Sequence, residues 1–518
     1  MSLQRGEPMT GVERVALALG LLLAMVLMWP LRGYVTDDTF IHLQYAKHLA
    51  EGHGLVFNVG EAVYGCTSPL WVALIADGMM LGFDGLTTAR VLGLLATLAS
   101  VALFLQLMRR TLRSPILRAA ATVTWAGHAW MIRWSLSGME TPLAVALTLA
   151  GFVAFTEGKH WGSRPVRTGT LWALAALTRP EAVFLLVLWA IFLVIDTQNR
   201  AGVRRLLAGL LPPVVIYGTW LLFARFYFDT FWPQTLSAKA VGGEQVAIRI
   251  DNLWRQLRII GASDGVLAIA LGVALVFGFG RLRPERWIAQ RMLPWVWVVA
   301  VPFLYLARGV PVLSRYLLPL LPVLAWLAWR TLERWWLGAN PQPPALRRAA
   351  LLGVLVAALA LSANLYVYRT VVVPQVLTFS AGLEGSLVHW GRWFAQYAPP
   401  EARIATPDIG AIGYYSGRRV VDLAGLVTPE IVPLLAVEEQ PEMIAQLRFA
   451  SFTRPEYLID RAPAPFDLLR RSPYAVALTP IGQASVPNLG IARPDSAVYS
   501  IYRIDWDAYD AMREAASE

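Results

Sequence analysis

The feature that most limits what this chain can become is a series of apolar runs punctuated by short arginine clusters. The runs lie near residues 12–31, 86–108, 118–135, 141–156, 168–178, 180–196, 206–224, 262–280, 292–307, 312–330 and 349–369. Most approach the roughly 20 residues that a helix needs to cross a bilayer, where backbone polar groups must be satisfied inside the helix. The chain is 56% hydrophobic and 15% charged, and its mean hydropathy is +0.50. A soluble domain of that composition would expose large apolar patches, whereas lipid solvates the same surface. The expected fold class is an α-helical polytopic membrane protein.

The basic clusters set the direction of the runs, because Lys and Arg collect in cytoplasmic loops. Arg109, Arg110, Arg113 and Arg118 form one cluster, and Lys159, Arg164 and Arg167 another. Further clusters lie at Arg200, Arg204 and Arg205, at Arg281, Arg283, Arg286 and Arg291, and at Arg330, Arg334, Arg347 and Arg348. These clusters, beside anionic lipid, account for the net charge of +10 without a nucleic-acid partner. One run, Pro69 to Leu81, tests the scheme, since counting it as a crossing would turn every later cluster outward. At about 13 residues it is also short, so it reads as an interfacial or re-entrant helix on the outer face. That choice gives 11 spans, an amino terminus inside and a carboxy-terminal region outside. The run from Val15 to Leu31 is followed by acids rather than a small-residue cleavage site, so it reads as a retained first span.

From residue 371 the composition becomes that of a soluble domain: acids outnumber bases and lysine is absent. The strand-like stretches VVDLAGL, PEYLID, YAVALTPI and SAVYSIYRIDW alternate with the helical SLVHWGRWFAQYA, which predicts a small α/β domain over 371–518. The membrane part is then 1–370, with an outer-face loop at 32–85. Within the soluble part, PDIGAIGYYSGRR carries glycines at 410, 413 and 417 but matches neither dinucleotide nor P-loop spacing. The single cysteine, Cys66, excludes an intramolecular disulfide.

Chemistry concentrates in the outward-facing segments. Asp37 and Asp38 directly follow the first span, where paired carboxylates repel each other and call for solvent or a function. A carboxylate there suits general-base work on a hydroxyl, with the second acid free to cap a helix; the same pair also suits a divalent cation held through oxygen. Glu140, in SGMETPL, stands at the outer end of the third and fourth spans. Arg179, Lys239, Arg308 and Arg315 lie outside, against the positive-inside trend, and an anion such as a lipid phosphate explains them. Proline after Arg179 breaks the fifth and sixth runs into a hairpin with a polar tip. His42, Tyr45, His53, Asn58, Glu61, Thr67 and Ser68 are positioned to contact a sugar or to order the first loop. No metal-ligand cluster is evident.

Taken in order, several stretches resemble the GT-C superfamily of integral membrane glycosyltransferases, which use polyprenyl-phosphate sugars. They are DDTFIHLQYAKHLAEGHGLVFNVGEAVYGCTSPLW, SGMETPL, LTRPEAVFLL, FWPQTLSAK, SRYLLPLLP and DIGAIGYYSGRRVVDLAGL. The resemblance runs over nearly the whole chain and is nearest the bacterial branch with the mycobacterial terminal arabinofuranosyltransferases. It implies that Asp37 or Asp38 is the catalytic base, that Glu140 assists, and that Lys239 and Arg315, with Arg179 and Arg308, grip the donor phosphate. It further implies a multi-pass protein of the bacterial cytoplasmic membrane, with its carboxy-terminal domain outside and no required cofactor. The chain has DD where other branches carry DE, which leaves the sugar open between arabinofuranose and a hexose such as mannose. The acceptor would be a cell-envelope glycan, lipid or protein. An alternative reading, a polyprenyl-linked lipid or polysaccharide transporter, predicts ionisable residues inside the spans and an inverted repeat.

Overall fold

The computed structural model describes residues 8–158, 161–195, 197, 200–234, 246–277, 291–338, 342–487 and 496–515. It divides into two compact units: one comprises residues 1–32, 89–221 and 246–374, the other 33–88, 222–245 and 375–518.

The early helices are α1 (Gly11–Met28), α2 (Asp37–Ala50), α3 (Pro69–Met80), α4 (Gly85–Thr111), α5 (Pro115–Ala126), α6 (Ala129–Ser135), α7 (Thr141–Phe155), α8 (Pro165–Ala176) and α9 (Glu181–Ile195). They are followed by α10 (Arg200–Phe228), α11 (Val246–Phe277), α12 (Leu293–Arg308), α13 (Ser314–Leu317), α14 (Leu321–Leu337) and α15 (Pro343–Val367). Among the described residues, five helical stretches are long and apolar enough to cross a membrane, beginning at Gly11, Gly85, Gly202, Ile248 and Pro343. The first unit exposes many large apolar side chains. On α1 the exposed stripe is Val12, Val15, Leu19, Leu22 and Val26, while Ala16, Gly20 and Ala24 face inward. Large apolar groups outward and small ones inward suit helices packed backbone to backbone in lipid.

Helix starts and ends follow local chemistry. Thr10 and Glu13 form a reciprocal capping box at the start of α1. Buried Glu13 also pairs with Arg118 at 2.9 Å and Arg109 at 3.6 Å, and the Glu333 carboxylate accepts the backbone N–H groups of Arg113 and Ser114. The first arginine cluster therefore meets the start of α1 at one end of this unit, as the charge pattern requires.

Four runs depart from the sequence expectation; the eighth, 262–280, is the later part of a 32-residue α11 that begins at Val246. The third is not one helix: α5 stops at Gly127, and His128 caps a separate α6 by accepting the Met131 N–H at Nδ1, 3.3 Å away. The tenth is a short α13 followed by α14 starting at Leu321, so the expected span 312–330 is displaced toward the carboxy terminus by prolines 319 and 322. The last does not end near 369. It continues through a π-turn at Tyr368–Val372, α16 (Val373–Leu383), a second π-turn at Glu384–Val388 and α17 (His389–Tyr397). Each π-turn adds one residue to the helical register, and such insertions recur near functional segments. Helix α3 spans 12 residues, fewer than a straight crossing needs.

The second unit contains a five-stranded sheet in the order β2-β1-β3-β5-β4. Its strands are β1 (Arg403–Thr406), β2 (Arg419–Asp422), β3 (Tyr457–Ala462), β4 (Leu478–Val486) and β5 (Ala497–Ile504). β1 pairs in parallel with β2 and β3, and β5 runs antiparallel to β3 and β4. A short helix α18 (Gly410–Ser416) links β1 to β2. Ala405, Leu423, Ile431, Met443, Phe449, Leu458 and Tyr502 fill the core beside the sheet.

Candidate active site

The two acids after the first span occupy the first turn of α2. Thr36 caps that helix in partnership with Thr39, their hydroxyls 3.0 Å apart. A carboxylate at such a helix start interacts favourably with its dipole, yet Asp37 makes its direct contacts elsewhere. Its Oδ2 accepts the Gly410 N–H at 2.9 Å and its Oδ1 accepts the Ala411 N–H at 2.8 Å. Those are the first amides of α18, the unsatisfied donors of a helix start. Glycine at 410 is dictated by this approach, since a Cβ there would lie 1.9 Å from the Asp37 carbonyl oxygen. Gly417 closes the same helix in the left-handed region at φ +60°. The glycine-bearing loop thus holds the chain's own carboxylate.

Behind this contact lies a second acid. Asp408, in the loop after β1, pairs with Arg461 of β3 at 2.6 Å and accepts the Tyr499 hydroxyl of β5 at 2.7 Å. Burial pushes the Asp37 carboxyl up to about 7; the charge of Asp408 adds to that, the two amides oppose it, and Asp38 pushes further upward. Asp422, at the end of β2, is pushed up to about 6 by burial, against the pull of the Ala424, Val427 and Leu426 amides. Asp38 is half-buried.

The other residues predicted around the first loop mostly build it. Asn58 donates to the Val420 carbonyl at 2.9 Å and accepts the Val420 N–H at 3.0 Å, so its amide imitates a strand partner on the edge strand β2. It also donates to Glu61, which pairs with Arg419. The Tyr45 hydroxyl donates to the Val63 carbonyl and its ring packs on Phe57. His42 and Ser68 are buried, Thr67 is half-buried, and His53 is exposed beside Glu51.

The first unit carries its own polar cluster. Glu140 and Arg179 are both buried and joined at 2.6 Å. Arg179 also holds Glu181 bidentately, through Nε at 3.1 Å and Nη2 at 2.9 Å, and Glu181 accepts the Tyr305 hydroxyl. The Arg179 guanidinium lies 5.2 Å from the Tyr316 ring centre. Arg315, also buried, lies 5.3 Å from the same ring and 5.5 Å from that of Trp134. Trp134 is anchored by its indole N–H on the Ser314 hydroxyl at 2.9 Å. The expected grouping of Arg179 with a phosphate therefore meets two carboxylates already on its guanidinium. Arg308 is exposed at the end of α12, and Lys239 lies outside the described residues.

Sequence reasoning placed Glu181 only in the polar hairpin tip beside Arg179, and it passed over Tyr316, Asp408, Arg461 and Tyr499. The Nε2 of His128 meets Asp264 of α11 at 3.0 Å in the interior. Since Nδ1 accepts from Met131, Nε2 carries the proton and donates to Asp264. Asn364 completes this arrangement by accepting the Ala129 N–H and donating to the Ser263 carbonyl. Among the described residues no group of three or more His, Cys, Asp or Glu side chains is arranged to hold a metal ion.

The solved structure of ArnT from Cupriavidus metallidurans bound to undecaprenyl phosphate superposes with a TM-score of 0.55, covering 95% of this chain and 98% of that one at 14% identity. The chain has the GT-C fold. The mycobacterial arabinofuranosyltransferase AftD superposes with a TM-score of 0.53 at 18% identity, covering 94% of this chain and 41% of that one. By sequence, the terminal beta-(1->2)-arabinofuranosyltransferase of Mycobacterium tuberculosis is 29% identical over 284 residues, which are 49% of this chain and 42% of that protein. The chain spans about two fifths of the length of the curated relatives it matches. Residues 379–502 match a family described as a domain of unknown function (DUF8728).

Proposed function

We propose that this multi-pass membrane protein transfers a sugar from a polyprenyl-phosphate donor to a hydroxyl of a cell-envelope acceptor, with inversion at the anomeric carbon. The names of the relatives favour arabinofuranose over a hexose such as mannose. Undecaprenyl phosphate bound to ArnT, a protein of the same fold, supports a lipid-phosphate donor. The observation that carries the reading is Asp37: a half-buried carboxyl oriented through both oxygens by two amides, with burial pushing its pKa up to about 7. A general base works best when its pKa lies near the operating pH.

In the reaction the acceptor oxygen bonds to the anomeric carbon as the bond from that carbon to the phosphate oxygen breaks. The acceptor proton passes to Asp37, and the electron pair leaves with the polyprenyl phosphate. Arg315, a buried cation on two aromatic faces, is assigned to the departing phosphate, with Arg308 and Lys239 as further cationic groups. Arg179 and Glu140 are assigned to holding that part of the chain together. Asp38 is assigned to the start of α2, and the chemistry to the outer face of the bacterial cytoplasmic membrane.

One observation bears on the transporter reading: Asp264 and His128 are ionisable groups inside helical runs, as that reading predicts. Their hydrogen bonds, however, are spent on joining α11 to the start of α6. The test uses the purified protein in lipid nanodiscs with radiolabelled polyprenyl-phosphoryl arabinofuranose and a panel of arabinofuranosyl oligosaccharides. Asp37→Asn is expected to lower the turnover about 10²–10⁴-fold, while Asp38→Asn has a smaller effect. Full transfer by Asp37→Asn would overturn the base assignment, and lipid movement in vesicles without a glycosidic product would favour the transporter.

A further inference from the structure

We propose that the carboxy-terminal domain positions the base: the amides of Gly410 and Ala411 fix the Asp37 carboxylate, and Asp408, held by Arg461 and Tyr499, sets the charge it experiences. This inference rests on the reading of Asp37 as the base. It gives a role to residues 379–502, which match a domain of unknown function and include all five positioning residues.

Three observations carry it. The contact is bidentate and uses both carboxylate oxygens, so it fixes the plane of the carboxyl as well as its place. Gly410 is moulded to it, since any side chain at that position would strike the Asp37 backbone. The Asp408, Arg461 and Tyr499 triad comes from the loop after β1 and from strands β3 and β5, which are neighbours in the sheet, so the sheet register itself delivers the buttress. Amides orient a carboxylate without supplying a full positive charge. A proton acceptor needs that combination, because a guanidinium in their place would hold the acid ionised and weaken it as a base.

Asp38 and Asp408 both raise the proton affinity of Asp37, and the groups next to Asp408 come from the sheet. Asp38 lies on the helix of Asp37, Asp408 and Asp422 follow β1 and end β2, Arg461 lies on β3 and Tyr499 on β5. Tyr414 and Tyr415 of α18 face Phe40 of α2 with ring centres 5.7 and 5.2 Å away. Within this set, Asp408 raises the proton affinity of Asp37, and Arg461 is the ion-pair partner of Asp408.

The test reads the protonation of Asp37 directly, without a substrate. Infrared difference spectra of the full-length protein in nanodiscs, compared with those of Asp37→Asn, follow the carboxyl band through a pH titration. The midpoint is expected near 7 in the wild type. Asp408→Asn removes a like charge and should lower the midpoint by about one pH unit, whereas Arg461→Gln exposes that charge and should raise it by about one. Equal midpoints in all three proteins, or shifts in the same direction, would overturn the proposal. Gly410→Ala adds a second arm: turnover should fall at least about tenfold with the donor KM unchanged, because the base is displaced and the donor is not. Unchanged turnover in this variant would count against positioning. If the midpoints move as expected but Asp37→Asn still transfers sugar, the domain holds Asp37 and the base assignment alone fails.

Discussion

Asp37 in one unit and the Glu140 and Glu181 pair in the other are buried or half-buried carboxylates answered in different ways. Asp37 is met by neutral amides with another acid behind it, and burial drives its proton affinity upward. Glu140 and Glu181 are met by the Arg179 guanidinium, which matches their charge as well as their geometry. The first arrangement leaves a carboxyl able to exchange a proton near neutral pH. The second spends a charge on rigidity. Sequence alone grouped Glu140 with the catalytic acids and Arg179 with the phosphate grip; the geometry joins the two to each other.

That contrast can be broken by substitution, and the effects should fall in a definite order. Arg179→Gln strands the buried Glu140 carboxylate and the half-buried Glu181 and should cost about 3–5 kcal/mol of stability, seen as a large drop in thermal midpoint in detergent. A variant with the wild-type midpoint would show that the cluster is wetter and weaker than drawn. Asn58→Ala removes both hydrogen bonds to Val420 at the sheet edge and should cost about 1–3 kcal/mol, with proteolysis increasing around the first loop. Asp37→Asn should shift the thermal midpoint least while abolishing most turnover, since Asn retains an acceptor for one of the two amides. If that variant instead unfolds, Asp37 belongs with the structural carboxylates and the contrast collapses.

Much of the architecture was legible because lipid and charge leave strong signatures. The apolar runs, the Pro69 helix and the acid pair at a helix start were all visible as local patterns. What was missed depends on distant partners. Strand β1 is four residues long, too short for its alternation to stand out. His128 looked isolated in an apolar run because Asp264 is 136 positions away. The break between α5 and α6 follows from that pair together with Gly127, whose added Cβ would meet Leu361 at 2.5 Å. The glycines of the DIGAIG stretch were noticed, but their spacing could not reveal that Gly410 approaches the Asp37 carboxylate, 373 positions earlier.

The central claim is that Asp37 accepts the acceptor's proton, and the pH dependence of kcat/KM in the wild type addresses it most directly. The catalytic form is the ionised carboxyl, and the folded protein raises its pKa from the ordinary 3.8 to about 7. The rate should therefore fall as pH falls through 7, dropping about tenfold per unit on the acid side, and the limb should vanish from the residual activity of Asp37→Asn. A rate that stays level from pH 8 down to about pH 5, where an ordinary carboxylate is still ionised, would contradict the account.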